Sequence, residues 1–230
     1  MNRPSLPALF IADAPGLDFL NSIATLVDVE IDWIDSGEGL LSWLEEASLI
    51  PKPVLDSFRK RASPAELDAV AAQARSLREW FRGFIAQHKG QPLTPEALGD
   101  IEPLRRLLER DETFTEIVAH DHGEGPVFAL ESQRRWRSPE SLLMPVAQSL
   151  AKLICDEDFS HVKACEGPHC TMLFADHTHG HSRRWCSMAL CGNRAKVAAH
   201  RKRQKETLQD PLKNALQASL QNRSHSERDQ

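Results

Sequence analysis

Four cysteines are the residues of this chain whose type and spacing carry the clearest chemistry. They form two pairs, Cys165 with Cys170 and Cys186 with Cys191, and fifteen residues separate the pairs. Each pair can supply two thiolates from one short loop, and two such loops can close a tetrahedron around one Zn²⁺. Four sulfur ligands leave no open position for water, so the sequence predicts one structural Zn²⁺.

Other roles for paired cysteines are open but less favoured. No charged-then-apolar signal segment is evident at Met1, so a cytoplasmic location is expected, where stable disulfides are rare. Redox pairs usually have the spacing C-x-x-C, which differs from that found here. A histidine could replace one thiolate, because several lie nearby: His161, His169, His177, His179, His181 and His200. The fifth cysteine, Cys155, lies in an apolar helical stretch and is predicted to pack as a small buried side chain.

A basic run follows the second cysteine pair and extends to Lys205. Residues 160–230 contain twelve Lys and Arg against six Asp and Glu, a net charge of +6, whereas residues 1–159 carry −11. This asymmetry predicts that the C-terminal part contacts a polyanion, DNA foremost; a solvated helix without a partner is the alternative. The predicted nucleic-acid contacts are Arg183, Arg184, Asn193, Arg194, Lys196, Arg201, Arg203 and Lys205.

Some of these cations have a competing role. A zinc ion with four thiolates carries a net charge of −2, which Arg183, Arg184 and Arg194 could offset by Coulomb attraction. Base recognition would need a side chain that reaches a base edge, for which Asn193, Arg194 and Arg201 are the candidates.

The cysteine region resembles a known family. Cys165 to Cys170, then Phe174-Ala175-Asp176, then Arg183 to Met188, then Cys191-Gly192-Asn193-Arg194 are similar, in that order, to the bacterial CGNR zinc finger. The match spans about forty residues, so it is far more specific than two cysteine pairs.

A second resemblance lies upstream. Leu17-Asp18-Phe19-Leu20-Asn21-Ser22 is similar to the Leu-Asp-Phe-Val-Asn-Thr signature that opens the ABATE domain, with Leu20 and Ser22 as the two departures. The resemblance implies a stress-responsive bacterial transcription regulator. Its sensing domain would span residues 1–157, its DNA-binding finger residues 158–206, and a flexible polar tail residues 207–230.

A sensing domain implies a possible small-molecule ligand. Arg75, Arg78 and Arg82 recur at helical spacing, and together with Asp18 and Asn21 they are predicted to line a polar-ligand pocket. The alternatives are a solvated arginine face that pairs with surface acids, and polar side chains that hydrogen-bond the first helix into place.

The overall pattern predicts a mainly α fold with a small β-hairpin (α+β), in which a helical N-terminal domain precedes a small four-cysteine zinc finger. The hairpin is expected near residues 113–136, because alternating β-branched residues flank a Gly-rich turn. Helices are predicted over residues 16–27, 36–47, 63–88, 94–110 and 138–155.

Several function classes are disfavoured. The chain has no Gly-rich phosphate loop, G-x-S-x-G or H-E-x-x-H motif, so an enzyme is not expected. No apolar run approaches the roughly 18 residues that span a bilayer, so no membrane partner is expected. Two alternatives to DNA binding are a zinc-stabilised module that docks on a protein or forms a homodimer, and an RNA-binding module. RNA binding is the weaker, because the finger offers only Phe174 and Trp185 for stacking.

Overall fold

The fold is mainly helical, with three separate two-stranded antiparallel sheets in the part of the chain that is described. The structure is a computed structural model, and it describes residues 6–26, 29–121, 123 and 125–204. The elements in chain order are α1 Pro15–Leu20, β1 Ile23–Leu26, β2 Val29–Asp32, α2 Gly37–Glu46, α3 Lys52–Arg61, α4 Pro64–His88, a 3-10 turn Pro95–Gly99, α5 Glu102–Leu108, β3 Thr113–Asp121, β4 Pro126–Arg134, a 3-10 turn Pro139–Leu142, α6 Leu143–Asp156, a 3-10 turn Phe159–His161, β5 Val162–Ala164, β6 Leu173–Ala175, a π-turn Met188–Gly192 and α7, residues 193–204. The predicted α+β class with a C-terminal cysteine cluster is confirmed.

The long helix α4 begins where local sequence signals place its start. The Ser63 side chain accepts a hydrogen bond from the Glu66 backbone N–H, and the Glu66 carboxylate accepts one from the Ser63 backbone N–H at 2.8 Å. This reciprocal capping box satisfies two backbone donors that a helix start would otherwise leave unpaired. Pro64 occupies the first turn, where its missing N–H costs nothing.

The predicted helix over residues 16–27 is wrong beyond Leu20. The chain leaves α1 at Asn21 and forms β1, which pairs with β2 from Ile23 opposite Asp32 to Leu26 opposite Val29. These residues form a strand and not a helix because the β-branched residues of both segments fit a paired, half-buried sheet.

Two further helix predictions need correction. The helix expected over residues 94–110 is divided into a 3-10 turn and α5, with Pro103 in the first turn of α5, where proline starts a helix rather than continues one. Helix α3 is absent from the sequence prediction, which takes Pro51 and Pro53 as the end of α2. They stand at the start of α3 instead, as its N-cap and its second residue.

The hydrophobic core runs without interruption from the helical body into the cysteine region. α1 packs against α4, α6 and the finger strand β6, and its Gly16 approaches α6 so closely that a Cβ there would lie 2.7 Å from the Ser149 carbonyl oxygen. The buried cluster includes Leu17 and Phe19 of α1 together with Met172 and Phe174 of the finger. The finger is therefore held against the body by shared packing.

Two further predictions concern Cys155 and the C-terminal tail. Cys155 is exposed on α6, so its predicted burial is wrong; it lies on the outer face of that helix. The flexible tail predicted for residues 207–230 lies outside the described residues. Across the described ranges, no helix combines the length and apolarity that crossing a lipid bilayer requires.

Candidate metal centre and cationic helix

The four cysteine sulfurs converge on one point. All four Sγ atoms lie within 4.8 Å of one another, and the pairs Cys186–Cys191 and Cys170–Cys186 are separated by 3.6 Å and 3.9 Å. Zn–S bonds of about 2.3 Å in a tetrahedron place sulfurs about 3.8 Å apart. The cage therefore has the donor set and the dimensions for one structural Zn²⁺, as predicted.

Local backbone geometry positions the first cysteine pair. Cys165 follows β5, and the β5–β6 hairpin brings the chain back past Cys170. The Cys165 Sγ accepts hydrogen bonds from the backbone N–H groups of Gly167, at 3.4 Å, and Cys186, at 3.2 Å. Gly167 is required by space, since a Cβ there would lie 2.8 Å from the Cys191 Sγ. Backbone donors of this kind hold a ligand sulfur in a fixed orientation towards the centre of the cage.

The second pair is built into the start of a helix. The Ser187 side chain accepts a hydrogen bond from the Ala189 backbone N–H, and the π-turn that begins at Met188 continues directly into α7. Asn193 follows this turn directly, five residues after Met188, so it lies within the helical segment and not before its start. A Cβ at Gly192 would lie 2.5 Å from the sulfur of Met188, a flexible and exposed side chain that would have to move aside.

The electrostatics of the sulfur cage favour a bound cation. The pKa of Cys186 is raised by the hydrogen bond that this thiol makes with Cys170 and by its burial. Burial also raises the pKa of Cys191, to about 11. Hydrogen bonding from Cys186 lowers the pKa of Cys170 to about 5. Crowded sulfurs without a metal thus resist becoming thiolates together, and a divalent ion reverses this balance.

Histidines of the finger region contact groups other than the cysteine sulfurs. The rings of His161 and His181 stack with their centroids 3.5 Å apart, and the His177 Nε2 lies 2.7 Å from a Glu157 carboxylate oxygen. Within the described ranges, the four cysteines form the one group of His, Cys, Asp and Glu side chains that could hold a metal. The alternative in which a histidine replaces a thiolate is not favoured.

Arg183 is fully engaged within the protein. Its Nη2 donates to the Ile11 and Cys186 carbonyl oxygens at 2.8 Å and 2.6 Å, and its Nε donates to the Trp185 carbonyl oxygen. Its Nη1 pairs with Asp13 and also donates to a backbone oxygen of β6. All five guanidinium N–H groups thus have a partner. Arg183 thus joins the finger to the N-terminal segment, and its contact with nucleic acid stays a prediction.

Arg184 and Arg194 lie close to the metal cage. Arg194 donates from Nη2 to the Cys191 Sγ at 3.4 Å and from Nε to the Leu190 carbonyl oxygen at 2.6 Å. Its charge therefore offsets the zinc-thiolate centre, which is the competing role that the sequence indicated. Arg184 is exposed, pairs with Glu166 at 2.5 Å and lies over the Trp185 ring at 5.0 Å.

The remaining predicted nucleic-acid contacts lie on α7. Asn193, Lys196, Arg201 and Arg203 are exposed, and residues 193–204 contain no acidic residue. Val197, the largest apolar residue of this helix, is also 49% exposed. Lys205 lies outside the described residues. α7 therefore leaves the zinc knuckle as a solvent-exposed cationic helix.

The arginines predicted to line a ligand pocket hold the body together. Arg78 is 2% exposed and forms a bidentate ion pair with Asp32 at 2.8 Å and 2.9 Å. Arg75 donates to the Ile34 and Asp35 carbonyl oxygens, and Arg82 donates to the Leu20 carbonyl oxygen. These contacts fix α1 and β2 onto α4. A ligand at these residues stays a prediction.

Asn21, also predicted to bind a ligand, joins the body to the finger. Its Nδ2 donates to the Leu173 carbonyl oxygen at 2.8 Å, and its Oδ1 accepts from the Leu173 N–H at 2.9 Å. Nearby, the Asp18 carboxylate accepts from the Ala12 N–H, and burial raises the pKa of Asp18 to about 6. These contacts agree with the alternative that polar signature residues position the first helix.

Sequence reasoning misses a buried carboxylate in the finger. Asp176 is fully buried and accepts hydrogen bonds from the Lys163 Nζ, the Arg183 N–H, and both the N–H and the hydroxyl of Thr178. Burial alone would raise the pKa of Asp176, but these donors hold it well below its usual range. The available signal is the position of this acid in the finger motif, between the two cysteine pairs.

Comparison with known families agrees with this architecture. A family model described as "Putative stress-induced transcription regulator", the ABATE family, matches residues 13–157, and a model of the CGNR zinc finger matches residues 161–204. No curated protein matches the chain.

Proposed function

Because the chain belongs to the ABATE family and carries a CGNR zinc finger after that domain, we propose that it is a transcription regulator that binds DNA through α7. One observation supports this proposal above the others: α7 is an exposed helix with several cations and no acid, and it begins inside the zinc cage. Such a helix can enter the major groove of DNA.

The exposed cations suit contacts with phosphates. Lys196 and Arg203 are seven residues apart, so at about 100° per residue they lie on one face of α7, whereas Arg201 lies about 140° around the helix from Lys196. Each cation that neutralises a phosphate releases a counterion, which makes binding depend on salt. Asn193 and Arg201 are the candidates for base contacts, because their side-chain types pair with adenine and guanine edges.

The zinc ion has a structural part in this proposal. Cys191 and Gly192 belong to the first helical turn, so the bound metal fixes where the helix starts and in which direction it leaves the finger. Arg194, which donates to the Cys191 sulfur, adds a second link between cage and helix. The protein residues, not the metal, would contact DNA.

The helical body would provide regulation. The body contacts the finger at two places: the Asn21 side chain bonds to Leu173, and the Ile11 carbonyl oxygen accepts from Arg183. A conformational change in the body would be transmitted to the finger, and so to α7, through these contacts. A non-enzymatic sensor is the role that we propose for it.

A salt titration tests the DNA contacts directly. Binding of the zinc-loaded protein to fluorescent duplex DNA is measured by anisotropy at several salt concentrations. The triple variant Lys196→Ala, Arg201→Ala, Arg203→Ala should bind more weakly, and its log K against log salt slope should fall by about 0.9 per lost phosphate contact. The matched control is Arg105→Ala with Arg106→Ala, two exposed cations on α5. Equal slopes for wild type and triple variant would refute the proposal.

Sequence preference separates regulation from general DNA binding. Selection from a random duplex pool should enrich a motif for the wild type, and Arg201→Lys should weaken that preference more than it weakens total binding, because lysine cannot form a bidentate contact with guanine. Recovery of no motif would leave a non-specific DNA binder and would contradict a role as a site-specific regulator.

RNA binding is the weaker candidate. Phe174 is fully buried, and the Trp185 ring is half-buried with Arg184 over it. The finger thus offers little free aromatic surface for stacking unpaired bases. Competition with single-stranded RNA in the anisotropy assay checks this comparison.

A further inference from the structure

The β3–β4 hairpin exposes an apolar side. Ile117, Phe128 and Leu130 are 71%, 72% and 72% exposed, and strand alternation places all three on one face of the hairpin. Ile117 lies directly opposite Leu130, and Phe128 lies opposite Ala119. This pairing produces a continuous apolar stripe across both strands.

The hairpin has bulky apolar residues on both faces. Its half-buried face carries Phe114 and Val118 beside Glu131 and Gln133, whereas Ile117, Phe128 and Leu130 face solvent. A half-buried antiparallel sheet normally turns its apolar residues inward and its polar residues outward. An exposed apolar stripe of this kind marks an interaction surface.

We propose that a second copy of this chain covers the stripe, with two hairpins packed face to face about a two-fold axis. The proposal goes beyond DNA binding and does not depend on it.

The shape of the stripe argues for self-association. Large Phe128 stands beside small Ala119, so the ring of one copy can sit over the alanine of the other when two sheets approach to about 10 Å. The centre of the stripe carries no charged side chain, so two copies bring no like charges together. A charged partner, in contrast, would find no complementary charge there.

The available area suits a reversible dimer. Each strand has nine residues, which at about 3.4 Å per residue gives a face about 30 Å long and about 10 Å wide. Two such faces, each about 300 Å², bury roughly 600 Å² in total, an area in the range of weak, transient interfaces. The dimer should therefore dissociate in the micromolar range.

Sedimentation velocity on the zinc-loaded full chain without DNA tests the proposal. From about 1 to 100 µM, the wild type should shift from monomer towards dimer. Phe128→Glu with Leu130→Glu should weaken association on the order of 100-fold, because central apolar residues dominate interface energies. Leu98→Glu is the matched control: Leu98 is 57% exposed on a 3-10 turn outside the hairpin, and its variant should dimerise as the wild type does.

A second variant separates the proposed packing from general stickiness. Ala119→Trp makes the face more apolar but fills the space that Phe128 of the other copy would occupy. Weaker association supports the interlocking arrangement, and stronger association overturns it. The proposal also fails if the wild type stays monomeric at 100 µM, or if the double variant, with an unchanged circular dichroism spectrum, dimerises like the wild type.

Discussion

The Asn21 side-chain amide pairs with the backbone of Leu173 through two hydrogen bonds, at a sequence separation of 152 residues. Asn21 follows the last turn of α1, and Leu173 begins the finger strand β6. The amide thus pairs with the backbone of β6 as a residue of a neighbouring strand would, and these two hydrogen bonds connect the finger to the body. This relationship makes the two family modules of the chain interdependent.

Removing this amide should destabilise the whole protein. Asn21→Ala leaves the N–H and the C=O of buried Leu173 without these partners, which costs about 2–4 kcal/mol in the free energy of unfolding, since each unsatisfied buried group costs about 1–3 kcal/mol. Urea denaturation followed by circular dichroism measures the change. Asn193→Ala, which removes an exposed amide, should stay within about 0.5 kcal/mol of wild type. A similarly small effect at Asn21 would show that the pairing is not maintained in solution.

Loss of zinc should be felt beyond the finger. Cys186→Ser removes one ligand from a cage whose cysteines belong to the same buried cluster as α1. We expect DNA binding to be lost and the melting temperature of the helical body to fall, while most of the far-ultraviolet helical signal remains. Calorimetry and elemental analysis, with one zinc per chain expected for wild type, check this outcome.

Cys155→Ser is the control for that experiment, because Cys155 is the exposed fifth cysteine. It should retain one zinc and the wild-type melting temperature. If Cys186→Ser also melted as wild type does, the shared core would contribute no coupling between metal and body.

Arg183 and Arg201 should separate stability from DNA affinity. Arg183→Ala leaves several part-buried carbonyl oxygens without their donor, so it should lower stability by about 2–3 kcal/mol; the Asp13 carboxylate, which is half exposed, can return to water. Arg201→Ala should leave stability within about 0.5 kcal/mol and weaken DNA binding. Urea denaturation and the anisotropy titration measure the two properties independently. If Arg183→Ala changed the salt dependence of DNA binding and Arg201→Ala did not, the DNA interface would not lie on α7.

The raised pKa of Asp18 predicts a specific dependence of stability on pH. Its folded pKa of about 6 lies above the usual carboxyl value of about 3.9, so between these values the native state binds more protons than the unfolded state. The contribution of this group is fully favourable below about pH 4 and is lost as the pH rises through 6. Asp18→Asn removes this penalty and retains an oxygen that can accept from Ala12.

The variant should therefore gain stability relative to wild type at pH 7.5, by about 2–3 kcal/mol at most, and the gain should shrink as the pH falls and vanish below about pH 4. Unfolding free energies of the two proteins at several pH values give the difference, in which effects of thiolate protonation cancel. A difference that does not change with pH would exclude Asp18 as its source.

Local features of this molecule could be predicted from sequence because their causes lie within a few residues. The cysteine spacing predicted the metal cage, because each pair of ligands lies within six residues of sequence. Ser63 and Glu66 predicted the start of α4, because the two residues of a capping box are three positions apart. The alternation in residues 113–136 predicted the hairpin for the same reason.

Tertiary structure decided the roles of the polar residues. Helical spacing placed Arg75, Arg78 and Arg82 on one face, but it could not show that this face meets carbonyl groups of α1 and of the segment after β2. The basic stretch around Arg183 predicted a DNA contact, but it could not show that this side chain also has five partners within the protein, several of them on distant segments. Periodicity records which side chains share a surface, whereas the fold alone determines what lies against that surface, because the partners are far apart along the chain.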